Sequence, residues 1–303
     1  MANNYINLTE KPFLRRAKLT FALMDGSTVV IDSDGTRGTL RMGFTVHKSI
    51  NGNPNSSTFT IYNLSKKTRD SLNQNFSGVQ LEVAWETSTL HVIYIGQTLS
   101  CITTREGADY VTRITAVTNI KNQSLTPIAK TYGEGMPLKS VLKDVAGRFQ
   151  DVKIDDNKIK VDGSINYGGF TTAGLAKDCL DNLANLYGFN WSIQDGVFQA
   201  VPDTFTGFAN ATVVSYKNGT LFSVTPILMT SMQLISGITV NALLIPTVFP
   251  GDVINVESEV NSQLDGAWYV HTIESSGDLC TNEWRMTIQC FKNNFESPVG
   301  SPL

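Results

Sequence analysis

Charged side chains are scarce in this 303-residue chain: Asp, Glu, Lys and Arg make up 17% of it, against about 25% in an average globular protein. Ser, Thr and Asn take their place, a composition that suits β-rich proteins of permanent assemblies, although an extracellular β protein could share it. The net charge of −3 and the pI near 5.7 also lack a basic excess. The composition therefore argues against a dedicated nucleic-acid binder.

Long hydrophobic runs are absent as well. No stretch approaches the ~18 uninterrupted apolar residues that indicate a membrane-spanning helix. The first residues, MANNYINLTEKPFLRRAKL, lack a basic segment followed by an apolar core, which is the pattern of a secretory signal. We therefore expect no transmembrane helix, no secretory signal and folding in a cytoplasm.

Cysteine and histidine are too few and too scattered to indicate a redox or metal site. The four cysteines show no CxxC spacing, so reduced, packed thiols are expected, with a bridge between Cys280 and Cys290 as the alternative. The three histidines lie inside strand patterns, with no ligand partner two or four residues further on. They are His47, His91 and His271.

Catalytic motifs are missing too. The sequence contains no GxxxxGK[ST], GxSxG or HExxH, and Gly133-Glu134-Gly135 lacks the rest of a nucleotide-binding fingerprint. The acidic residues from Asp151 to Asp162 lack the spacing and central glycine of a calcium loop, so a solvated hairpin is expected there. The four tryptophans are spread among strands, where core or interface packing is favoured over a sugar-binding platform. We predict no catalytic residue, no metal site and no cofactor.

Strand patterns dominate what is present. Residues 78–117 contain the runs VQLEVAW, LHVIYIGQTL and YVTRITAV, with SCITTRE as a possible short strand before the last. Turn residues between them predict an antiparallel meander. The same plan returns near the C-terminus in GDVINVES, AWYVHTIESSGD and EWRMTI, and Tyr110 and Trp284 close the two copies at similar distances from Gly78 and Gly251. The sequence therefore predicts a duplicated β domain.

The N-terminal part extends the first copy. Residues 13–32 predict a hairpin with Asp25-Gly26 as its turn, and residues 39–49 alternate apolar and polar side chains as a half-buried strand does. Ser65 is expected to cap a short polar helix that lies as a flap on this domain.

Helical spacing appears only in the middle of the chain. One helix is predicted with Pro137 as its first residue, and a second from Thr172, with an apolar stripe that ends at Leu186 and a stop at Gly188. FNWSIQ and VFQAV then form a hairpin around Asp195-Gly196.

These patterns define a mainly β protein with an α+β insertion. The predicted divisions are 1–124 for the first β domain, 125–202 for the insertion and 203–303 for the second β domain with a loose C-terminal tail.

Four pieces, in this order, span nearly the whole chain: STFTIYNLS before the short helix; the Gly78 strand leading to Ile95-Gly96 and GADY; the helix ending at Gly188 that runs into Trp191; and NALLIP with PGD, WYV, SGD and EW. In this order the chain resembles the baseplate hub proteins of contractile-tailed bacteriophages. The order of the pieces, rather than any single motif, carries the resemblance.

The resemblance implies two tail-tube-like antiparallel β barrel or sandwich domains that flank the small α+β domain. Such a hub is a homotrimer whose pseudo-sixfold ring adapts the sixfold tail tube to the threefold spike and leaves a bore for DNA. The implied partners are further copies of the chain, a tail-tube or tube-initiator protein, the trimeric spike protein, the tape-measure protein and surrounding baseplate proteins. The implied location is the virion tail baseplate, assembled in the host cytoplasm, with DNA only in transit and no membrane anchoring.

In such a ring the bore is expected to be neutral or acidic, and the loop at 50–57 is expected to contact neighbours or to order only on assembly. Large strand side chains are the candidates for the assembly interface: Phe59, Ile61, Tyr62, Trp85, Tyr94, Tyr110, Trp268 and Trp284. Alternatives are a tube initiator or distal tail protein, the hub of a tail-like particle or secretion system, and a tail-associated protein that binds or degrades cell walls.

Overall fold

The computed structural model describes residues 15–34, 36, 38–73, 76–85, 89–119, 125–166, 168–203, 211–229 and 234–292. The expected C-terminal tail and the first residues of the chain lie outside these ranges. The strands in the described ranges are β1 Arg15–Ala22, β2 Thr28–Ser33, β3 Met42–Ser49, β4 Ser56–Tyr62, β5 Gly78–Trp85, β6 His91–Glu106, β7 Asp109–Val117, β8 Pro127–Tyr132, β9 Lys153–Ile159, β10 Phe170–Leu175, β11 Phe189–Gln194, β12 Val197–Pro202, β13 Thr212–Ser215, β14 Leu221–Met229, β15 Leu234–Leu243, β16 Val253–Glu257, β17 Gly266–Asp278 and β18 Trp284–Phe291. The helices are α1 Lys66–Leu72, α2 Leu138–Ala146 and α3 Ala176–Tyr187.

Thirteen of these strands form one large, mostly antiparallel sheet. Its order is β14-β15-β18-β17-β3-β4-β7-β6-β5-β1-β2, with β16 beside the start of β17 and β13 beside β16. The β regions at the two ends of the chain therefore share a continuous sheet. No sheet in the described ranges closes on itself, so the expected barrel is not completed by hydrogen bonds within one chain.

The sheet curls so that β1 and β5 reach β18 and the β17–β18 turn. The Arg15 guanidinium of β1 donates a 2.6 Å hydrogen bond to the Thr281 carbonyl in the β17–β18 turn. Trp85 of β5 and Trp284 of β18 pack edge to face, with ring centroids 5.9 Å apart. The side chain of Trp284 thereby belongs to the same core as β1 to β7. Side-chain packing, rather than a strand ladder, holds this curl together.

The strand orders of the two β regions are similar. The front unit runs β3-β4-β7-β6-β5 and the back unit runs β14-β15-β18-β17-β16, so the two follow the same plan. The long strand of each unit carries a one-residue bulge, at Leu99 in β6 and at His271 in β17. SCITTRE is not a separate strand, because β6 continues through this bulge to Glu106.

The middle of the chain has a core of its own. Helices α2 and α3 pack with the pair β8–β10 and with the three-stranded sheet β11-β12-β9 around residues between 128 and 200. Strand β9 pairs in parallel with β12, so the acidic residues near Asp155 lie on a strand and not in the hairpin that was expected. The hairpin around Asp195-Gly196 is confirmed.

Both helix starts were predicted too early. Pro137 is the N-cap residue of α2 and not its first helical residue, and Thr172 belongs to β10, so α3 begins at Ala176. The predicted apolar stripe also overreaches, because the Leu186 side chain is 58% exposed. The stop is confirmed: Gly188 takes φ 67°, a left-handed conformation that glycine adopts without strain.

Two smaller predictions concern the cap and the thiols. The Ser65 hydroxyl accepts a 3.1 Å hydrogen bond from the Thr68 amide at the start of α1, which confirms the cap. All four cysteines are free thiols, so no bridge joins Cys280 and Cys290.

Candidate assembly site

The eight side chains predicted for an assembly interface occupy different environments. Tyr110 is 43% exposed, and Tyr62 and Trp85 are half-buried. The remaining five are at most 2% exposed and pack inside the chain's own cores, so the folded chain offers no surface at their side chains: Phe59, Ile61, Tyr94, Trp268 and Trp284.

A more informative feature joins the two β units. We call it the internal junction: residues 43–49 of β3 pair antiparallel with residues 272–278 of β17. Strand β17 serves both units, because its first residues, up to Tyr269, pair with β16 and the residues after the bulge at His271 pair with β3. The edge of the front unit is thus capped by the long strand of the back unit.

Close packing at Gly277 holds the internal junction together. A Cβ atom at this position would lie 2.5 Å from a ring carbon of Phe44 and 2.7 Å from one of Trp284. These two rings pack edge to face with centroids 5.4 Å apart. At the same end, the Arg41 guanidinium forms a 2.7 Å ion pair with Asp278, whose side chain is 14% exposed. Only glycine leaves room for both rings here.

The middle region is attached to the internal junction through its hairpin turn. One Asp195 carboxylate oxygen lies 2.5 Å from the Lys48 ammonium of β3, and the other accepts a 3.2 Å hydrogen bond from the Ile95 amide of β6. Lys48 is 4% exposed, and desolvation lowers the pKa of its ammonium, while the nearby Asp195 charge opposes that shift. Removing Asp195 would leave the buried Lys48 ammonium without a counter-charge, so the pair favours the docked arrangement.

The loop at 50–57 reinforces this attachment. The Asn55 amide donates a 2.8 Å hydrogen bond to the Gln194 side chain, which in turn donates 2.7 Å to the Ser49 carbonyl. A Cβ atom at Gly52 would lie 2.5 Å from the Trp191 ring. The loop therefore packs on β11 of its own chain, and its contact with neighbours stays a prediction.

The described sheets have several open strand edges, and two of them occupy related positions in the two β units. Strand β14 ends the sheet and pairs only with β15, and residues 100–106 of β6 pair only with β7. Both edges carry exposed apolar side chains: Ile102 is 60% exposed, Leu228 is 53% exposed and Phe222 is 51% exposed. We call them the β14 edge and the β6 edge.

Sequence reasoning missed these features for identifiable reasons. The sequence predicts only a turn role for Asp195, and a turn residue carries no signal of its contact with Lys48. Ile102 lies in an alternating strand whose apolar residues are normally assigned to the core. The repeated strand pattern could have revealed it. Glu274 occupies the position of Ile102 in the other β unit. An exposed position with Glu in one unit and Ile in the other indicates that the two surfaces have different contacts.

Groups for metal chemistry do not gather in the part of the chain that the structure covers: no three His, Cys, Asp or Glu side chains there could hold a metal ion. Within the same ranges, none of the helices combines the length and the apolarity needed to cross a bilayer.

No protein-family model matches the sequence, and comparison with curated protein sequences finds no match. Solved structures do match. The 43 kDa tail protein of prophage MuSo2 from Shewanella oneidensis is 8% identical with a TM-score of 0.64, over 92% of this chain and 97% of that one. A tail protein from Neisseria meningitidis MC58 is 7% identical with a TM-score of 0.62, over 91% and 96%.

A third match comes from a secretion apparatus. An E. coli component of the type VI secretion system, described as structurally similar to bacteriophage T4 tail proteins, is 9% identical with a TM-score of 0.58, over 86% of this chain and 76% of that one. At such low identities the comparison establishes the fold: this chain has the fold of phage tail proteins and of their secretion-system counterpart.

Proposed function

We propose that the chain is a structural hub of a phage tail baseplate. Three copies form a ring of six β units that adapts a sixfold tail tube to a threefold spike and leaves a bore for DNA. The shared fold of phage tail proteins supports this proposal. The chain acts by assembly and not by catalysis.

One observation carries the proposal: the chain contains two copies of the same five-strand plan, joined edge to edge by the internal junction. Each chain therefore contributes two similar units toward a sixfold neighbour but counts only once toward a threefold neighbour. Three such chains match six subunits on one side and three on the other.

Each part of the chain has its own role in this proposal. Residues 1–124 and 203–303 supply the ring units, and residues 125–202 supply a docked module that occurs once per chain and therefore follows threefold symmetry. Asp195 and Lys48 hold this module in a fixed position on the ring. Its partners are the spike and surrounding baseplate proteins, while the ring contacts the tube or its initiator and the tape-measure protein, inside the virion tail.

Light scattering at increasing protein concentration, followed by electron microscopy of the associated form, tests this proposal. We expect a species of three times the 33.2 kDa chain mass and end-on views of a ring with six lobes. An obligate dimer, or a ring whose lobes do not number six, would contradict the hub role.

A second setting has support of its own. The match to a type VI secretion component indicates that a tail-like particle or secretion system is an alternative location for the same adaptor. Locating the chain by immunogold electron microscopy distinguishes the two settings, because a virion carries a DNA-filled head and a tail-like particle does not.

A further inference from the structure

The open β14 edge and the open β6 edge occupy the positions of the two strands that form the internal junction. Aligning the bulges at Leu99 and His271 superimposes residues 100–106 of β6 on residues 272–278 of β17. These are the residues of β17 that pair with β3. The β6 edge is thus the front unit's version of a strand segment that is already paired in the back unit.

The same alignment carries across the sheet to β14. Strands β7 and β4 correspond to β18 and β15 residue by residue, and beyond them Thr225 of β14 falls at the position of Thr45 in β3. Ile227 falls at the position of His47. The β14 edge is therefore the back unit's version of the strand that β17 caps.

We propose that the β14 edge of one chain pairs antiparallel with the β6 edge of a second copy, in the register of the internal junction. This inference deepens the proposed function and rests on it, since it names the contact that closes the ring. In that register Thr104 faces the partner's Thr225, and Ile102 faces the partner's Ile227.

Side-chain chemistry supports this pairing. Ladder hydrogen bonds alternate along antiparallel strands, and the Ile50 amide donates to the His271 carbonyl in the internal junction, so the His47–Glu274 pair three residues away is a non-hydrogen-bonded pair. Ile102 and the partner's Ile227 inherit this position, where opposed side chains approach most closely. Ile102 then packs against the partner's Ile227. In the internal junction the equivalent pair is His47 and Glu274.

The β14 edge fits a single, selected partner better than arbitrary strands. Strand β14 has no charged residue, and Pro226 at its middle has no N–H to donate. Pro226 falls at the position of Val46, which is four residues from the hydrogen-bonded Ile50–His271 pair and therefore also lies in a hydrogen-bonded pair of the internal junction. Its nitrogen therefore faces the open edge, which weakens generic strand addition. The proposed contact loses one ladder bond there and depends instead on the apolar contact of Ile102 with the partner's Ile227.

The geometry also gives closure. Each chain offers one β14 edge and one β6 edge, so the contact is head to tail and not symmetric. Because the internal junction relates one unit to the next in the same way, repeating that relation adds units around a ring.

Engineered cysteines test the contact in the full-length chain. Thr104 and Thr225 are exposed and face each other across subunits at a non-hydrogen-bonded pair, whose Cβ separation suits a disulfide. The variant carries Thr104→Cys and Thr225→Cys, with Cys101→Ser and Cys280→Ser to remove neighbouring thiols. Matched controls are each new cysteine alone and the slipped pair Thr104→Cys with Ser223→Cys.

We expect mild oxidation to give linked dimers and trimers, with trimers the largest species, from the in-register pair only. A trimer by light scattering that cross-links equally well in the slipped pair, or not at all, overturns this edge contact and leaves the hub proposal intact. Linkage by either cysteine alone indicates a symmetric contact and overturns the head-to-tail arrangement. A chain that stays monomeric and unlinked at its highest soluble concentration contradicts both proposals.

Discussion

The front and back β units share a strand order but treat their outer strands differently. Strand β3 of the front unit is covered by β17, whereas β14 of the back unit is open in the described ranges. Equivalent positions show the consequence: Phe44, Val46 and Lys48 are at most 4% exposed, while Val224 is half-buried and Pro226 and Leu228 are exposed.

Strands at the same position of the two units therefore differ in their side chains according to whether another strand covers their edge. A buried edge tolerates Lys48 only because Asp195 from the inserted module reaches it. At the equivalent position the open edge has Leu228 and no such carboxylate. Inserting the module between the two copies therefore differentiates two otherwise similar strands.

Removing the charge that faces Lys48 gives the largest expected effect. In Asp195→Asn the buried ammonium loses its partner, and we expect a loss of about 3–5 kcal/mol in the free energy of unfolding. Chemical denaturation measures this loss. The double variant Asp195→Asn with Lys48→Met should recover most of it, because a buried pair replaced by apolar side chains leaves no isolated charge. A single variant as stable as the wild type would show that the pair does not hold the module.

The pH dependence sharpens the same comparison. Desolvation holds the pKa of Lys48 below its usual 10.5, so between the two values the folded chain binds fewer protons than the unfolded chain. Its contribution to stability therefore rises with pH in that window. Loss of the Asp195 charge lowers this pKa further, so the deficit of Asp195→Asn should narrow as the pH approaches 10.5. A deficit that is constant between neutral pH and pH 10.5 would contradict this explanation.

The next effect compares Gly277 with its counterpart in the front unit, Arg105. Gly277→Ala places a methyl group against Phe44 and Trp284, and we expect a loss of about 1–3 kcal/mol by overpacking. Arg105→Ala, at an exposed site, should change stability by no more than about 0.5 kcal/mol. Denaturant titration of both variants gives the comparison. Equal effects would show that the internal junction is not closely packed.

A smaller effect is expected at the two bulges. Burial lowers the pKa of His271, whereas Leu99 at the other bulge does not titrate. The stabilising contribution of neutral His271 is present above pH 6.5, its unfolded value, and is lost as the pH falls through the folded value. His271→Leu should therefore flatten the fall in melting temperature on acidification below pH 6.5. An unchanged acid profile would assign that fall to other groups.

The smallest effect on stability, with a large effect on assembly, is expected at the β6 edge. Ile102→Glu restores the charge type that Glu274 has in the back unit and should prevent trimer formation while changing the unfolding free energy by no more than about 0.5 kcal/mol. Val30→Glu, at a strand residue that is 53% exposed, is the matched control and should still form trimers. Light scattering distinguishes the two, and an Ile102→Glu trimer would contradict the β6 contact.

Local signals explain which predictions succeeded. The turn at Asp25-Gly26, the cap at Ser65 and the stop at Gly188 depend on backbone conformations that single residues prefer, so the sequence alone identifies them. Burial was harder, because alternation marks an apolar face without saying what covers it. Phe59 and Trp268 were expected at an interface, yet their own chain buries them.

The sequence by itself indicated most of the strands and the two helices of the middle region, because side-chain alternation and helical spacing act over a few residues. Only the tertiary structure decided that β3 pairs with β17, that Asp195 meets Lys48 and that β14 stays open. These outcomes depend on pairings between residues more than a hundred positions apart. Many strands of similar pattern could compete for such an edge, and packing at Gly277 and the buried ion pair select one of them.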